Sequence, residues 1–122
     1  AVQHKLPVKI FILNNQYMGM VRQWQELLHG GRYSHSYTDS LPDFVKLAEA
    51  YGCLGVRALK PDELDHKIIE MIDYNGPVIF DCVVDQDENC YPMIPSGAAH
   101  NEMLLGESDD NPEVSDEGKV LI

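Results

Sequence analysis

Apolar positions along this chain change period several times, and each change marks an element. Val8-Lys9-Ile10-Phe11-Ile12-Leu13 is short, β-branched and nearly continuous in apolar character, which predicts a buried strand. Between Met20 and Leu28 the apolar residues Val21, Trp24, Leu27 and Leu28 recur at helical spacing, and Gly30-Gly31 ends the run. Residues 32–40 are polar and read as a loop. Leu41-Pro42-Asp43 opens a second helix whose apolar face is Phe44, Val45, Leu47, Ala48 and Tyr51, with Gly52 as its stop. Leu54 to Leu59 predicts a short strand. Lys60-Pro61-Asp62-Glu63 starts a third helix, with proline and acids in its first turn. Leu64, Ile68, Met71 and Ile72 form the buried stripe of that helix. Asn75-Gly76-Pro77 breaks it, and Val78 to Val84 predicts a third strand.

Strand, helix, helix, strand, helix, strand is the order of an α/β domain with a parallel sheet and right-handed crossovers. Three strands make a thin, partial Rossmann-like sheet, since such halves normally carry more strands and helices on both faces. The expectation is that further strands precede Ala1 and that the chain is a piece of something longer. There is no internal repeat and no low-complexity run.

Composition adds exclusions. A length of 122 residues suits one small domain, and 44% hydrophobic content is ordinary for a globular one. No apolar stretch approaches the ~20 residues that a membrane span needs, and Ala1 to Pro7 contains no long apolar signal region. The net charge of −11 argues against a nucleic-acid surface. Residues 1–85 hold 8 basic and 11 acidic side chains, whereas residues 86–122 hold 1 basic and 9 acidic. The chain therefore divides into a folded portion, 1–85, and a C-terminal segment, 86–122, that ends in a solvated acidic tail. The cysteines Cys53, Cys82 and Cys90 are odd in number and form no CxxC pair, which disfavours a zinc site or disulfide framework. Cys82, within an apolar strand, reads as a small core residue. Reduced, cytoplasmic-type surroundings fit this usage. No histidine stands at metal-ligand spacing from another histidine or a cysteine.

The candidate chemistry lies in Asn14-Asn15-Gln16-Tyr17-Met18-Gly19-Met20, directly after the first strand. Ligands of open α/β sheets sit at the carboxyl ends of strands. Amide oxygens there suit a hard cation such as Mg2+, which shares its shell with substrate phosphates. Gly19 would let the backbone bend toward a ligand or into the helix. The alternative is that the asparagines only cap the following helix. Met20, Val21 and Trp24 share one helical side, which reads either as core packing or as a pocket wall.

These segments resemble the C-terminal thiamine-diphosphate domain of the acetohydroxyacid synthase (acetolactate synthase) large-subunit family. The resemblance rests on Asn14-Asn15, on Gly19-Met20-Val21-Arg22-Gln23-Trp24-Gln25, on Gly31-Arg32-Tyr33-Ser34-His35 and on Pro42 to Ala50. It resumes at Tyr91-Pro92-Met93-Ile94-Pro95-Ser96-Gly97 and Asn101-Glu102-Met103. It implies that Asn15 ligates Mg2+ through its side chain and Tyr17 through its backbone carbonyl. Gln16, Tyr17, Met18, Gly19 and Met20 would wrap the diphosphate of thiamine diphosphate. Met20, Val21, Trp24, Ser96 and Gly97 would shape the pocket for the second 2-keto acid and a nearby herbicide site, with Met93 to Gly97 folding over it. The implied reaction condenses pyruvate with pyruvate or 2-ketobutyrate, with loss of CO2, in branched-chain amino acid biosynthesis. No residue of this chain is assigned a catalytic role.

The family's metal motif begins with Gly-Asp-Gly, and none occurs in these 122 residues. Its active site also takes a glutamate from a neighbouring subunit, and its FAD binds mainly outside this region. The isolated chain is accordingly expected to be inactive. The family implies a homodimer or tetramer, association with the rest of the catalytic subunit and possibly a regulatory subunit, in the cytoplasm. Two other readings are a non-catalytic interaction module with a residual diphosphate cleft, and a different thiamine-diphosphate carboligase or oxidase.

Overall fold

The computed structural model describes residues 1–106, so the acidic tail expected over 107–122 lies outside the described residues. The elements run β1 (Lys9–Asn14), α1 (Gly19–Leu27), α2 (Phe44–Ala50), β2 (Leu54–Ala58), α3 (Leu64–Asp73) and β3 (Val78–Val83). Each of the six expected elements is present, and a 3-10 turn over Pro61–Glu63 leads into α3. Two compact units form. One holds Ala1–Gln16 and Asp39–Gln86, and the other holds Tyr17–Thr38 and the described part of Asp87–Ile122.

The first unit is built on a parallel sheet of order β1-β3-β2. The register sets Phe11 beside Phe80 and Val56 beside Phe80, so these three side chains share a face. There Val56, Ala58, Val78, Phe80 and Cys82 pack with Leu64, Ile68 and Met71 of α3. Cys82 is thus a buried core thiol, and burial pushes its pKa up. Phe11 stacks on Phe80 with ring centroids 4.6 Å apart. On the opposite parity, α2 comes close to β2: a Cβ on Gly55 would lie 2.8 Å from the Val45 carbonyl oxygen. Only glycine permits that approach without moving backbone. Gly52, at φ +75°, provides the left-handed stop expected after α2.

β1 differs from expectation. Its apolar run predicts burial, yet Ile10, Phe11 and Leu13 are exposed. β1 stands at a sheet edge and pairs only with β3 among the described strands.

Asp43 caps α2, accepting hydrogen bonds from the Val45 and Lys46 backbone N–H groups at 3.2 and 3.4 Å. The Lys46 N–H, aided by the Arg57 guanidinium and the Val45 N–H, outweighs desolvation and holds the carboxyl below its usual range. A depressed folded-state pKa stabilises the fold above the unfolded value, and that stability is lost as pH falls through the folded value. Thermal midpoints measured from about pH 5 to pH 2 should therefore fall less steeply in Asp43→Ser, which keeps a capping oxygen but no charge. Identical slopes would remove this contribution.

Candidate functional site

The carboxyl end of β1 is fixed by its own side chain. Asn14 Nδ2 donates to Asp81 Oδ1 at 2.9 Å, and Asn14 Oδ1 accepts from the Gln16 backbone N–H at 3.1 Å. Asp81, on the central strand, is 2% exposed. Its second oxygen accepts from Arg57 Nε at 2.8 Å, while Arg57 Nη2 donates to Asp43 Oδ1 at 2.8 Å. The bond to Asp81 is the main reason the Arg57 pKa lies above its ordinary value, with Asp43 adding to it against desolvation.

The turn after β1 bends at Gln16, whose φ is +61°, a region that non-glycine residues seldom adopt. Gly19 begins α1, in line with the bend into the helix that was one of its two expected roles. The Gln16 side chain accepts from Gln86 Nε2. Asn15, half-buried, lies between the clamped Asn14 and this turn. The N-cap of α1 is Met18, which makes no side-chain capping bond. Asn14 is engaged with Asp81 and Gln16, so the capping alternative does not describe it.

In the second unit, the Met18 N–H donates to the Ser36 carbonyl at 2.8 Å, and Tyr17 bridges Tyr37 with rings 5.0 Å apart. α1 reverses the usual polarity of a packed helix. Its buried residues are Arg22 and Gln23, while Met20, Val21 and Trp24 are exposed. Gln23 brackets Cys90, donating to its carbonyl at 3.0 Å and accepting from its N–H at 2.8 Å. Arg22 pairs with Glu26 and Asp87, each at 2.6 Å, and lies over the Tyr17 and Tyr33 rings at 5.2 and 5.1 Å. Glu26 also accepts from the Tyr33 hydroxyl and from Asn89 Nδ2. Burial alone would lower the Arg22 pKa, but Glu26, Tyr33 and Asp87 together raise it. Burial, followed by the bond to Glu26, raises that of Tyr33.

The exposed side of α1 faces an open cavity of about 600 Å3, where Met20, Val21 and Trp24 meet His29 and Arg32. Among the described residues this apolar stripe is not packed into a core. Ser96 and Gly97 sit on an exposed turn, with Gly97 at φ +78°, and are not among the residues lining that cavity. The Met93 and Leu104 backbones bridge each other near this turn. Among the described residues no group of three His, Cys, Asp or Glu side chains is arranged to hold a metal.

Two residues of these networks carried a signal in the sequence that periodicity does not weigh. Asp81 and Arg57 are single charges inside apolar strands, and a charge in a buried strand needs a partner. Arg22 gave no such signal, because a charged residue on a helix is ordinarily solvated.

Residues 1–82 match the family described as thiamine pyrophosphate enzyme, C-terminal TPP binding domain. The chain is 48% identical over 106 residues to the acetolactate synthase large subunit of Haemophilus influenzae, covering 86% of this chain and 18% of that protein. It is 46% identical over 112 residues to the acetolactate synthase isozyme 3 large subunit of Escherichia coli, covering 89% and 20%. Against the large subunit of the alga Cyanidium caldarium it is 48% identical over 103 residues, covering 84% and 18%. The chain thus spans about a fifth of the length of these relatives. Strand order, parallel register and the match over residues 1–82 agree: the chain belongs to the family of C-terminal TPP-binding domains of thiamine pyrophosphate enzymes.

Proposed function

We infer that this chain holds the diphosphate of thiamine diphosphate, through Mg2+, for the decarboxylative condensation of two 2-keto acids catalysed by acetolactate synthases. The observation that carries this reading is the turn after β1. Asn14 is held by Asp81 and Gln16; the family resemblance assigns the metal's amide ligand to Asn15 and would make the Tyr17 carbonyl a second oxygen. Neutral oxygens of this kind fit a hard cation that also binds phosphate oxygens. Gln16, Met18, Gly19 and Met20 line the cofactor, whose diphosphate meets backbone N–H groups at the start of α1. When bound, thiamine diphosphate supplies the electron sink for decarboxylation and coupling.

Met20, Val21 and Trp24 contribute an apolar wall against the acceptor's side chain, and Ser96 and Gly97 belong to the segment that covers it. The substrates are pyruvate and either pyruvate or 2-ketobutyrate, and the product feeds branched-chain amino acid synthesis. The assembly is a homodimer or tetramer in the cytoplasm, with a regulatory subunit as a further partner. FAD binds mainly through residues other than these. The chain alone lacks the carboxylate half of the metal site and does not turn over substrate.

Calorimetric titration of the full catalytic subunit, which supplies the carboxylate half of the metal site, with thiamine diphosphate tests the reading. Binding should require Mg2+ and should weaken about 10–100-fold in Asn15→Ala, the scale for losing a metal-site contact. Binding that persists without Mg2+, or that ignores the substitution, would overturn it.

A further inference from the structure

Asp81 is an unusual occupant of its position. It stands on the central strand, is 2% exposed, and is flanked along that strand by the core residues Phe80 and Cys82. A buried ion pair is a weak source of stability, because a well-packed apolar replacement often does as well. What the carboxylate does here is directional. One oxygen takes the Asn14 amide and the other takes Arg57 Nε. Asn14 is then oriented so that its own oxygen receives the Gln16 N–H. That bond holds a residue at φ +61°, a conformation that persists only where its surroundings impose it. Arg57 is in turn fixed by Asp43 at the start of α2. The chain of bonds crosses all three strands, from Asp43 to Gln16, and ends on either side of Asn15.

We propose that Asp81 and Arg57 are positioning residues for the cofactor turn, acting through Asn14 on the Gln16 N–H and so on the direction of the Asn15 side chain. The proposal deepens the cofactor reading and rests on it for its functional consequence, whereas the clamp itself is a property of the fold.

An exchange of the two partners tests it on the full chain. Asn14→Asp keeps an acceptor for the Gln16 N–H but sets two carboxylates against each other. Hydrogen exchange at the Gln16 amide should then accelerate about tenfold relative to the Phe80 amide, the scale of one lost hydrogen bond. Adding Asp81→Asn restores one amide and one carboxylate with the direction of the bond reversed. It should return Gln16 exchange to the wild-type rate. Asn14→Ala, which removes both bonds without opposing charges, should also loosen Gln16 selectively.

Affinity for thiamine diphosphate with Mg2+ should fall and recover in the same order. Unchanged Gln16 exchange in Asn14→Asp and Asn14→Ala would overturn the clamp. So would a double variant that keeps Phe80 protected yet leaves Gln16 loose. A loosened Gln16 with full cofactor affinity would overturn the positioning role alone. A wild-type catalytic subunit that carries the carboxylate half of the metal site yet never binds the cofactor, with the exchange pattern intact, would sink the cofactor reading and leave the clamp standing.

Discussion

Phe80→Ala should lower the free energy of unfolding by about 3–5 kcal/mol, the scale for truncating a buried aromatic. Phe80 is fully buried at the middle of the central strand. It lies in register with Phe11 on one side and Val56 on the other, and stacks on the Phe11 ring. Truncation removes the apolar area and leaves a void lined by strands on both sides, which cannot collapse without breaking ladder hydrogen bonds. Much of a small domain's stability of about 5–15 kcal/mol would be lost. Urea titrations followed by far-ultraviolet circular dichroism would measure it as a lower midpoint at unchanged slope. A loss below about 1 kcal/mol would show that the site repacks.

Arg57→Met should cost about 2–3 kcal/mol. Removing one partner of a buried pair typically costs about 3–5 kcal/mol, because a charge is left without its counterion. The discount reflects geometry: the Arg57 side chain is 35% exposed, so solvent already screens part of the interaction. Asn14 still donates to the remaining Asp81 carboxylate. Combining Arg57→Met with Asp81→Leu should recover most of the stability, since no unpaired charge remains. Gln16 exchange should stay fast in that double variant, because Asn14 has lost its anchor. Recovery of both properties together would mean that Gln16 does not depend on Asp81, and would overturn the clamp. The same urea and exchange measurements decide the point.

The element pattern was open to reading because it depends on local periodicity and punctuation. Gly30-Gly31, Gly52 and Asn75-Gly76-Pro77 stop their helices where backbone chemistry requires. Burial was less legible, because it depends on which neighbours an element finds. β1 has the composition of an interior strand but lies at an edge, and the apolar side of α1 faces outward. The additional bend at Gln16 was not legible for a related reason. Glycine is the usual residue at positive φ, yet Gln16 holds that conformation through a bond from a side chain two residues earlier. The Asp43–Arg57–Asp81–Asn14 chain joins residues up to 67 positions apart, and no local pattern reports such pairings. The proposed metal-site residues were legible only as a motif. Of the paired asparagines, Asn14 is clamped by Asp81 and the Gln16 N–H.

The inverted polarity of α1 has an evolutionary consequence. Arg22 and Gln23 anchor the helix by charge and hydrogen bonds to Asp87 and Cys90, none of which involves Met20, Val21 or Trp24. Residues that seat the helix are distinct from residues that line the cavity. Substitutions along the exposed stripe can change the cavity's shape over many generations with little penalty in folding. The cavity wall can therefore vary at these three positions while the helix stays in place.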